Sequence, residues 1–95
     1  MAEGTTYIDP PFVISGTVKS YEASGGSPAS CLFSFHVSDG THEGNFQLRA
    51  ETPAPMFAAM SMAVTVAFAI GTAIQVTSYE EHEAGHYLVN LIRGS

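Results

Sequence analysis

Basic residues are scarce in this chain of 95 residues, where three lysines and arginines stand against nine acidic residues for a net charge of -6. Proteins that hold phosphate backbones without regard to sequence need a basic surface, so this balance disfavours nucleic acid as a partner. Charged residues of both signs together make up only 13% of the chain. Soluble domains commonly contain about 25% charged residues. The low charge indicates that part of the surface is covered by another molecule.

Cysteine is nearly absent as well. The single cysteine, Cys31, cannot form an intrachain disulfide, and we expect a buried, inert thiol in a strand. The first residues, Met1-Ala2-Glu3-Gly4, lack the basic and apolar segments of a signal peptide. These two absences favour the cytoplasm over a secreted location.

A run without any charge covers residues 52–79. Pro53, Pro55 and Gly71 confine its apolar helical part to about 16 residues, which is short of the roughly 20 needed to cross a bilayer. We therefore expect no membrane span. The pattern predicts a helix over residues 52–71, capped by Thr52 and ended by Gly71.

This helix has two predicted stripes at helical spacing. The stripe expected to face the core consists of Phe57, Met60, Val64 and Phe68. The opposite stripe is small and uncharged, unlike a solvated helix face, and is predicted to pack against another subunit; it consists of Ala58, Ser61, Met62, Thr65 and Ala69. Because residues 62–70 also alternate in twos, a short helix followed by an extra strand is an alternative.

Strand patterns lie on both sides of the helix. Apolar residues recur at every second position over residues 13–21, 31–37 and 45–50, and strand-forming residues return over 73–79 and 86–92. Residues 1–11 read as an extended lead-in and 12–95 as one domain. This order predicts a mainly β fold, a small five-stranded OB-like barrel with one helix between strands 3 and 4.

Several short motifs support that assignment. Gly16-x-Val18, Phe35-x-Val37-x-Asp39-Gly40, the apolar helix ending in Gly71, and Ile74-x-Val76 together resemble the generic OB-fold pattern over most of the chain. The helix is also similar to that of the pentamer-forming, glycan-binding B subunits of bacterial toxins, whose helix packs against its copies. This chain lacks their usual intrachain disulfide. The resemblance implies self-association and glycan binding.

The outward face of strands 1–3 is the predicted ligand surface. If Val18, Phe35 and Phe46 point into the barrel, the strand period places a set of polar side chains on the other side. Tyr21 would stack on a ligand, Arg49 would offer a forked donor, and the amides would hydrogen-bond. The alternative is an ordinary solvated sheet face. The candidate ligand-binding residues are Lys19, Tyr21, His36, Asn45, Gln47 and Arg49.

The segment His82-Glu83-Ala84-Gly85-His86 matches the metalloprotease pattern of two histidines four apart with a glutamate beside the first. That chemistry needs a helix and a third ligand. Here the segment lies between two strand patterns, contains the turn residue Gly85, and is followed by no His, Asp, Glu or Cys. We interpret it as a solvated hairpin tip and expect no metal, with adventitious metal binding by His82, His86 and Glu81 as the alternative.

A second polar cluster, His36, Asp39, His42 and Glu43, surrounds the turn after strand 2. Gly40 and Gly44 offer this turn little enclosure, so solvated turn residues are the favoured interpretation. No serine stands in a Gly-x-Ser-x-Gly elbow, so no catalytic nucleophile is assigned.

These patterns lead to one interpretation. The chain is predicted to be a non-enzymatic OB-fold binding module that self-associates and binds glycan or protein on strands 1–3, without a cofactor. The alternative is a single-stranded nucleic-acid-binding OB domain, and a small zinc hydrolase comes third.

Overall fold

A computed structural model describes residues 6–27, 30–49 and 51–94, with the side chains of 25–31 and 83 left out of that description. Seven elements follow one another along the chain. They are β1 (Thr6–Ser27), β2 (Ser30–Ser38), β3 (Glu43–Gln47), α1 (Ala54–Ile70), β4 (Ala73–Glu83), β5 (His86–Leu88) and β6 (Leu91–Gly94). The fold is therefore mainly β, with one helix between the third and fourth strands, as predicted.

Five of the strands form a closed ring in the order β1, β2, β3, β5, β4, because β4 pairs again with β1. Neighbours in the ring are antiparallel except β3 and β5, which run parallel. The long strand β1 closes the ring by pairing with β4 through Thr6 to Thr17 and with β2 from Thr17 onward.

Gly16 lies where β1 passes from one partner to the other. A Cβ atom on this buried residue would lie 2.6 Å from the carbonyl carbon of Ser38 and 2.9 Å from the amide nitrogen of Asp39. Real Cβ atoms do not approach backbone this closely, so only glycine fits without a shift of β2. The Gly16-x-Val18 motif thus has a steric cause.

The core follows from the alternation in the sequence. Every second residue of β2 and β3 points inward, and the helix closes the core from one side. The buried apolar residues are Ile14, Val18, Phe33, Phe35, Val37, Phe46, Leu48, Val64, Ala67, Ile74, Val76 and Val89.

The strand ends differ from the prediction. β1 begins at Thr6, so part of the expected lead-in is paired with β4, and it continues to Ser27 through part of the expected loop. β3 ends at Gln47 rather than at residue 50, which lies outside the described residues. The expected fifth strand is divided into β5 and β6. Both pair with β4, but β5 also pairs with β3, and that second pairing ends at Val89.

Two hydrogen bonds mark the point where the chain leaves β3 and keeps β4 as its partner. Val89 N donates to Gln47 O at 3.1 Å, whereas Asn90 N donates to Thr77 O at 3.0 Å. From Leu91 onward the chain pairs only with β4 among the described strands. β6 is therefore an addition to the ring.

The helix runs without interruption to Ile70, so the alternative of an extra strand over residues 62–70 is wrong. Its end is as predicted: Gly71 takes the left-handed conformation at φ 70° and its amide donates to Ala67 O. The start of the helix differs from the prediction. Pro53 rather than Thr52 is the N-cap, and among the described side chains none hydrogen-bonds to the free amides there.

The buried side of α1 also needs one correction. Val64 and Ala67 are buried, and Phe57 and Met60 are half-buried against the core. Phe68 was expected in this stripe but is 44% exposed, because Ala67 is the residue that faces the sheet at this turn of the helix. In the part of the chain that the structure describes, no helix is long and apolar enough to span a membrane.

Candidate ligand-binding groove

Two rows of side chains cross the outer face of four neighbouring strands. Backbone pairing aligns Ser20, His36, Asn45 and His86 in the first row. It aligns Glu22, Ser34, Gln47 and Leu88 in the second. Since strands lie about 4.8 Å apart, each row of four extends over roughly 14 Å. We call these eight residues the polar face.

The polar face lines a groove of about 640 Å³, which His82 and Tyr87 also border. Tyr87 stacks on Phe12 with ring centroids 4.5 Å apart. Its burial, and second the negative charge of Glu81, raise the pKa of the Tyr87 phenol. Like other tyrosine hydroxyls at neutral pH, it is protonated and can donate a hydrogen bond.

His36 is fixed in the centre of this face by its neighbours on β3. Its Nε2 lies 2.9 Å from Glu43 Oε1, and its Nδ1 lies 2.9 Å from Asn45 Oδ1. A ring protonated on both nitrogens donates to both oxygens, whereas a neutral ring keeps the bond to Glu43 and accepts from a turned Asn45 amide. In either state the imidazole is held in one orientation.

Tyr21 is not on this face, which corrects the sequence prediction. The pairing of β1 with β2 shifts between Val18 and Ser20, so Ser20 lies opposite His36 and Tyr21 lies opposite the buried Phe35. The irregularity at Lys19 is a β-bulge, which turns the following side chains to the other face. Tyr21 accordingly stacks on Phe33, with centroids 5.7 Å apart.

Tyr21 also meets the helix, where its ring lies edge-on to Phe68 at 5.3 Å. It is therefore a packing residue between sheet and helix rather than a stacking platform for a ligand. Lys19 is exposed at the bulge itself and does not border the groove. The bulge thus leaves Lys19 outside the groove and leaves Tyr21 at the groove's border with its ring packed against Phe33 and Phe68.

Arg49 lies on the outer side, as predicted, but its guanidinium is paired. Nη2 is 2.5 Å from Glu80 Oε1, and Nη1 is 3.6 Å from Glu51 Oε2. Of the candidate ligand residues, His36, Asn45 and Gln47 therefore lie together on the polar face. Tyr21 also borders the groove, but its ring packs against Phe33.

The segment from His82 to His86 is a hairpin, as the glycine indicated. β4 ends at Glu83, Gly85 turns the chain at φ 80°, and β5 begins at His86. The helical arrangement that a metalloprotease motif requires is absent from this segment. Among the described residues, no group of three His, Cys, Asp or Glu side chains is placed to hold a metal.

The turn between β2 and β3 is built on Asp39, also as predicted. Its carboxylate accepts hydrogen bonds from the amides of His42 at 2.6 Å and Thr41 at 2.8 Å. These backbone bonds hold the pKa of Asp39 below its ordinary value of 3.8. Asp39, His42 and Glu43 are exposed, so the cluster stabilises the turn rather than enclosing a pocket.

Sequence reasoning missed six residues of the groove, which are Ser20, Glu22, His82, His86, Tyr87 and Leu88. Ser20 and Glu22 enter through the bulge, which the regular alternation around Lys19 does not reveal. His86 and Leu88 enter through the parallel pairing of β5 with β3. That pairing joins strands distant in sequence, and the strand patterns alone do not show it.

The predicted interface residues lie on the outer side of α1. Ala58, Met62 and Ala69 are exposed, and Ser61 and Thr65 are half-buried beside a second, apolar groove of about 670 Å³. This groove lies between α1 and the paired ends of β1 and β2, where Leu32 and Phe33 border it. The thiol of Cys31, which we expected to be buried, lies outside the described side chains.

Comparison of the chain with models of protein families, with characterised proteins and with solved structures gives no match. Its function is therefore argued from its own geometry.

Proposed function

We propose that this protein is a non-enzymatic binding module of the OB type that self-associates through α1 and binds a glycan in the groove of the polar face. The observation that supports the glycan is the double row across β1, β2, β3 and β5, in which six of the eight side chains are hydroxyl, amide or imidazole groups. Such groups donate and accept, as sugar hydroxyls do.

The charges near the groove support a neutral ligand. Among the described residues, none of the chain's three basic side chains borders the groove. Lys19 is at the bulge, Arg49 is paired with Glu80, and Arg93 lies beside the helix. Glu22 lines the groove and Glu43 adjoins it through His36. A phosphate backbone would meet carboxylates here rather than cations, which disfavours single-stranded nucleic acid.

The shape of the groove supports a ligand of several units rather than an ion. A row of roughly 14 Å presents four side chains in succession, so an extended ligand can contact all four strands. The ring faces of Phe35, Phe46 and Tyr87 are occupied by packing against one another or against Phe12. Recognition in this groove is therefore based on hydrogen bonds more than on stacking.

A glycan array followed by calorimetry on the best ligand tests the proposal. Gln47→Ala should weaken binding about three- to tenfold, since one neutral hydrogen bond contributes roughly 0.5–1.5 kcal/mol. Gln75→Ala is the matched control: the same substitution on β4, where Gln75 Nε2 donates to Ser15 Oγ at 3.2 Å away from the groove. It should leave binding unchanged.

A salt titration distinguishes the alternatives. Glycan affinity should vary little between 50 and 500 mM salt, because no phosphate contacts release counterions. Binding of an oligonucleotide with steep salt dependence would contradict the glycan assignment and favour the nucleic-acid alternative. If the ligand of the groove proves to be a peptide, the groove is still the binding site, but the assignment of a glycan is wrong.

A further inference from the structure

The outer side of α1 carries an apolar ridge between two rows of small residues. Residues four apart form the ridge, which begins at Ala58 and continues through the larger Met62, Val66 and Ile70. One flanking row is Ser61, Thr65 and Ala69, and the other is Ala59 and Ala63. Met62 is 66% exposed and Val66 is 49% exposed, so the ridge stands free of the rest of the fold.

The grooves on the two sides of this ridge are both apolar. Met62 and Val66 border the groove of about 670 Å³ toward Leu32 and Phe33, and they also border another of about 540 Å³ toward Ile74 and Ile92. A surface made of one ridge between two grooves is complementary to a copy of itself, because the ridge of each helix can enter a groove of the other.

The side-chain hydroxyls of this surface can be buried in an interface without losing a hydrogen bond. Ser61 Oγ donates to Ala58 O at 3.1 Å, and Thr65 Oγ1 donates to Ser61 O at 2.7 Å. Both hydroxyl donors are thus satisfied within the helix, and covering them leaves no unpaired donor. The half-buried hydroxyls behave as part of an apolar surface.

The charge distribution indicates a second copy as the occupant. The chain carries a net charge of -6, so two copies repel wherever acidic residues face each other. Residues 52–79, which include all of α1, contain no charged residue. Among the described residues that line the two grooves, Arg93 is charged and no carboxylate is present, so two copies can meet on this side without bringing carboxylates together.

We propose that two copies of this chain pair across a two-fold axis, with the Met62–Val66 ridge of each α1 seated in the groove between α1 and β2 of the other. This pairing specifies the partner and geometry of the self-association in the proposed function, and rests on it. Leu32, which is 47% exposed at the groove edge, is covered in the same contact.

Sedimentation velocity from 1 to 500 µM tests this pairing. We expect the wild-type chain to reach twice its mass of 10.0 kDa. Met62→Glu and Leu32→Glu should each raise the dimer dissociation constant at least about 30-fold, as for residues near the centre of an interface. Both side chains are largely exposed within one chain, so the variant monomers should keep their circular dichroism spectra.

Leu91→Glu is the control, since Leu91 is an exposed apolar residue on β6 that borders neither groove of the ridge. It should leave the dimer unchanged. If Met62→Glu does not fold, Met62→Gln and Val66→Gln replace it, with a smaller expected shift in the same direction.

The outcomes separate this pairing from the wider proposal. A dimer that survives both Met62→Glu and Leu32→Glu, or an assembly of three or more copies, overturns the pairing but leaves self-association. A monomer at 500 µM overturns both, and so does a monomer that binds phosphatidylcholine vesicles through this face. Glycan binding is measured on the Met62→Glu monomer, so its loss or retention bears on the polar face alone.

Discussion

Arg49 and Glu80 form an ion pair on the outer surface of the ring, with Arg49 Nη2 2.5 Å from Glu80 Oε1. Both side chains are mostly covered, at 22% and 28% exposed. Glu80 Oε1 is buried and accepts no well-aligned hydrogen bond from the described residues, so the charge of the nearby guanidinium is what compensates it. Arg49 therefore contributes to the fold rather than offering a free fork to a ligand.

Replacing Arg49 by Ala should lower the free energy of unfolding by about 1–2 kcal/mol, a value between those of exposed and fully buried ion pairs. The cause is the covered carboxylate of Glu80, which is left without its partner. Urea unfolding of Arg49→Ala, Glu80→Gln and the double variant measures the coupling. Strictly additive effects would show that the pair contributes nothing, and Arg49 would again be a candidate ligand residue.

Gly16 is predicted to be intolerant of a side chain. Gly16→Ala should lower the free energy of unfolding by about 1–3 kcal/mol, because the new Cβ would meet the Ser38–Asp39 backbone, which cannot move without shifting β2. Gly94→Ala is the matched control, since a Cβ there has no heavy atom within 4 Å. Thermal and urea unfolding compare the two, and equal stabilities would contradict the close approach.

Asp39 should make the β2–β3 turn sensitive to acid. Its pKa in the folded chain is lowered from 3.8, first by the amide of His42 and then by that of Thr41. A lowered carboxyl pKa contributes stability that is present above 3.8 and is lost as the pH falls through the lower folded value. The advantage of the wild type over Asp39→Asn should therefore be present at pH 6 and shrink below pH 3.8.

Asp39→Ala distinguishes the charge from the hydrogen bonds. Asparagine keeps an acceptor for the amides of Thr41 and His42, whereas alanine removes both bonds. Unfolding by urea at a series of pH values should show Asp39→Ala below Asp39→Asn throughout. An advantage of the wild type over Asp39→Asn that grows on acidification would have the wrong sign for this account.

Much of the fold could be predicted because local patterns determine it. In β2 and β3 the side-chain period of two places Phe35 and Phe46 inside and His36 and Asn45 outside, and this needs no knowledge of the partner strand. The end of α1 was predictable for a similar reason, since Gly71 adopts a conformation that other residues disfavour.

The rest of the groove depends on contacts that are distant in sequence. His86 joins Asn45 only through the parallel pairing of β5 with β3, and Arg49 is paired with Glu80 across the ring. The residues next to Asn45 and Arg49 in the sequence do not indicate that His86 and Glu80 are their partners. For this reason the sequence predicted the centre of the polar face and not its edges.

The position of Tyr21 yields the last prediction, because the bulge at Lys19 exchanges the two faces of β1 beyond it. Tyr21→Ala should lower the free energy of unfolding by about 1–3 kcal/mol through lost contacts with Phe33 and Phe68, while glycan affinity stays unchanged. Tyr21→Phe is the control, since it keeps the ring and should be close to wild type. Calorimetric titration and thermal unfolding measure both quantities. Loss of binding in Tyr21→Ala at unchanged stability would return Tyr21 to the ligand face and show that β1 has no bulge in solution.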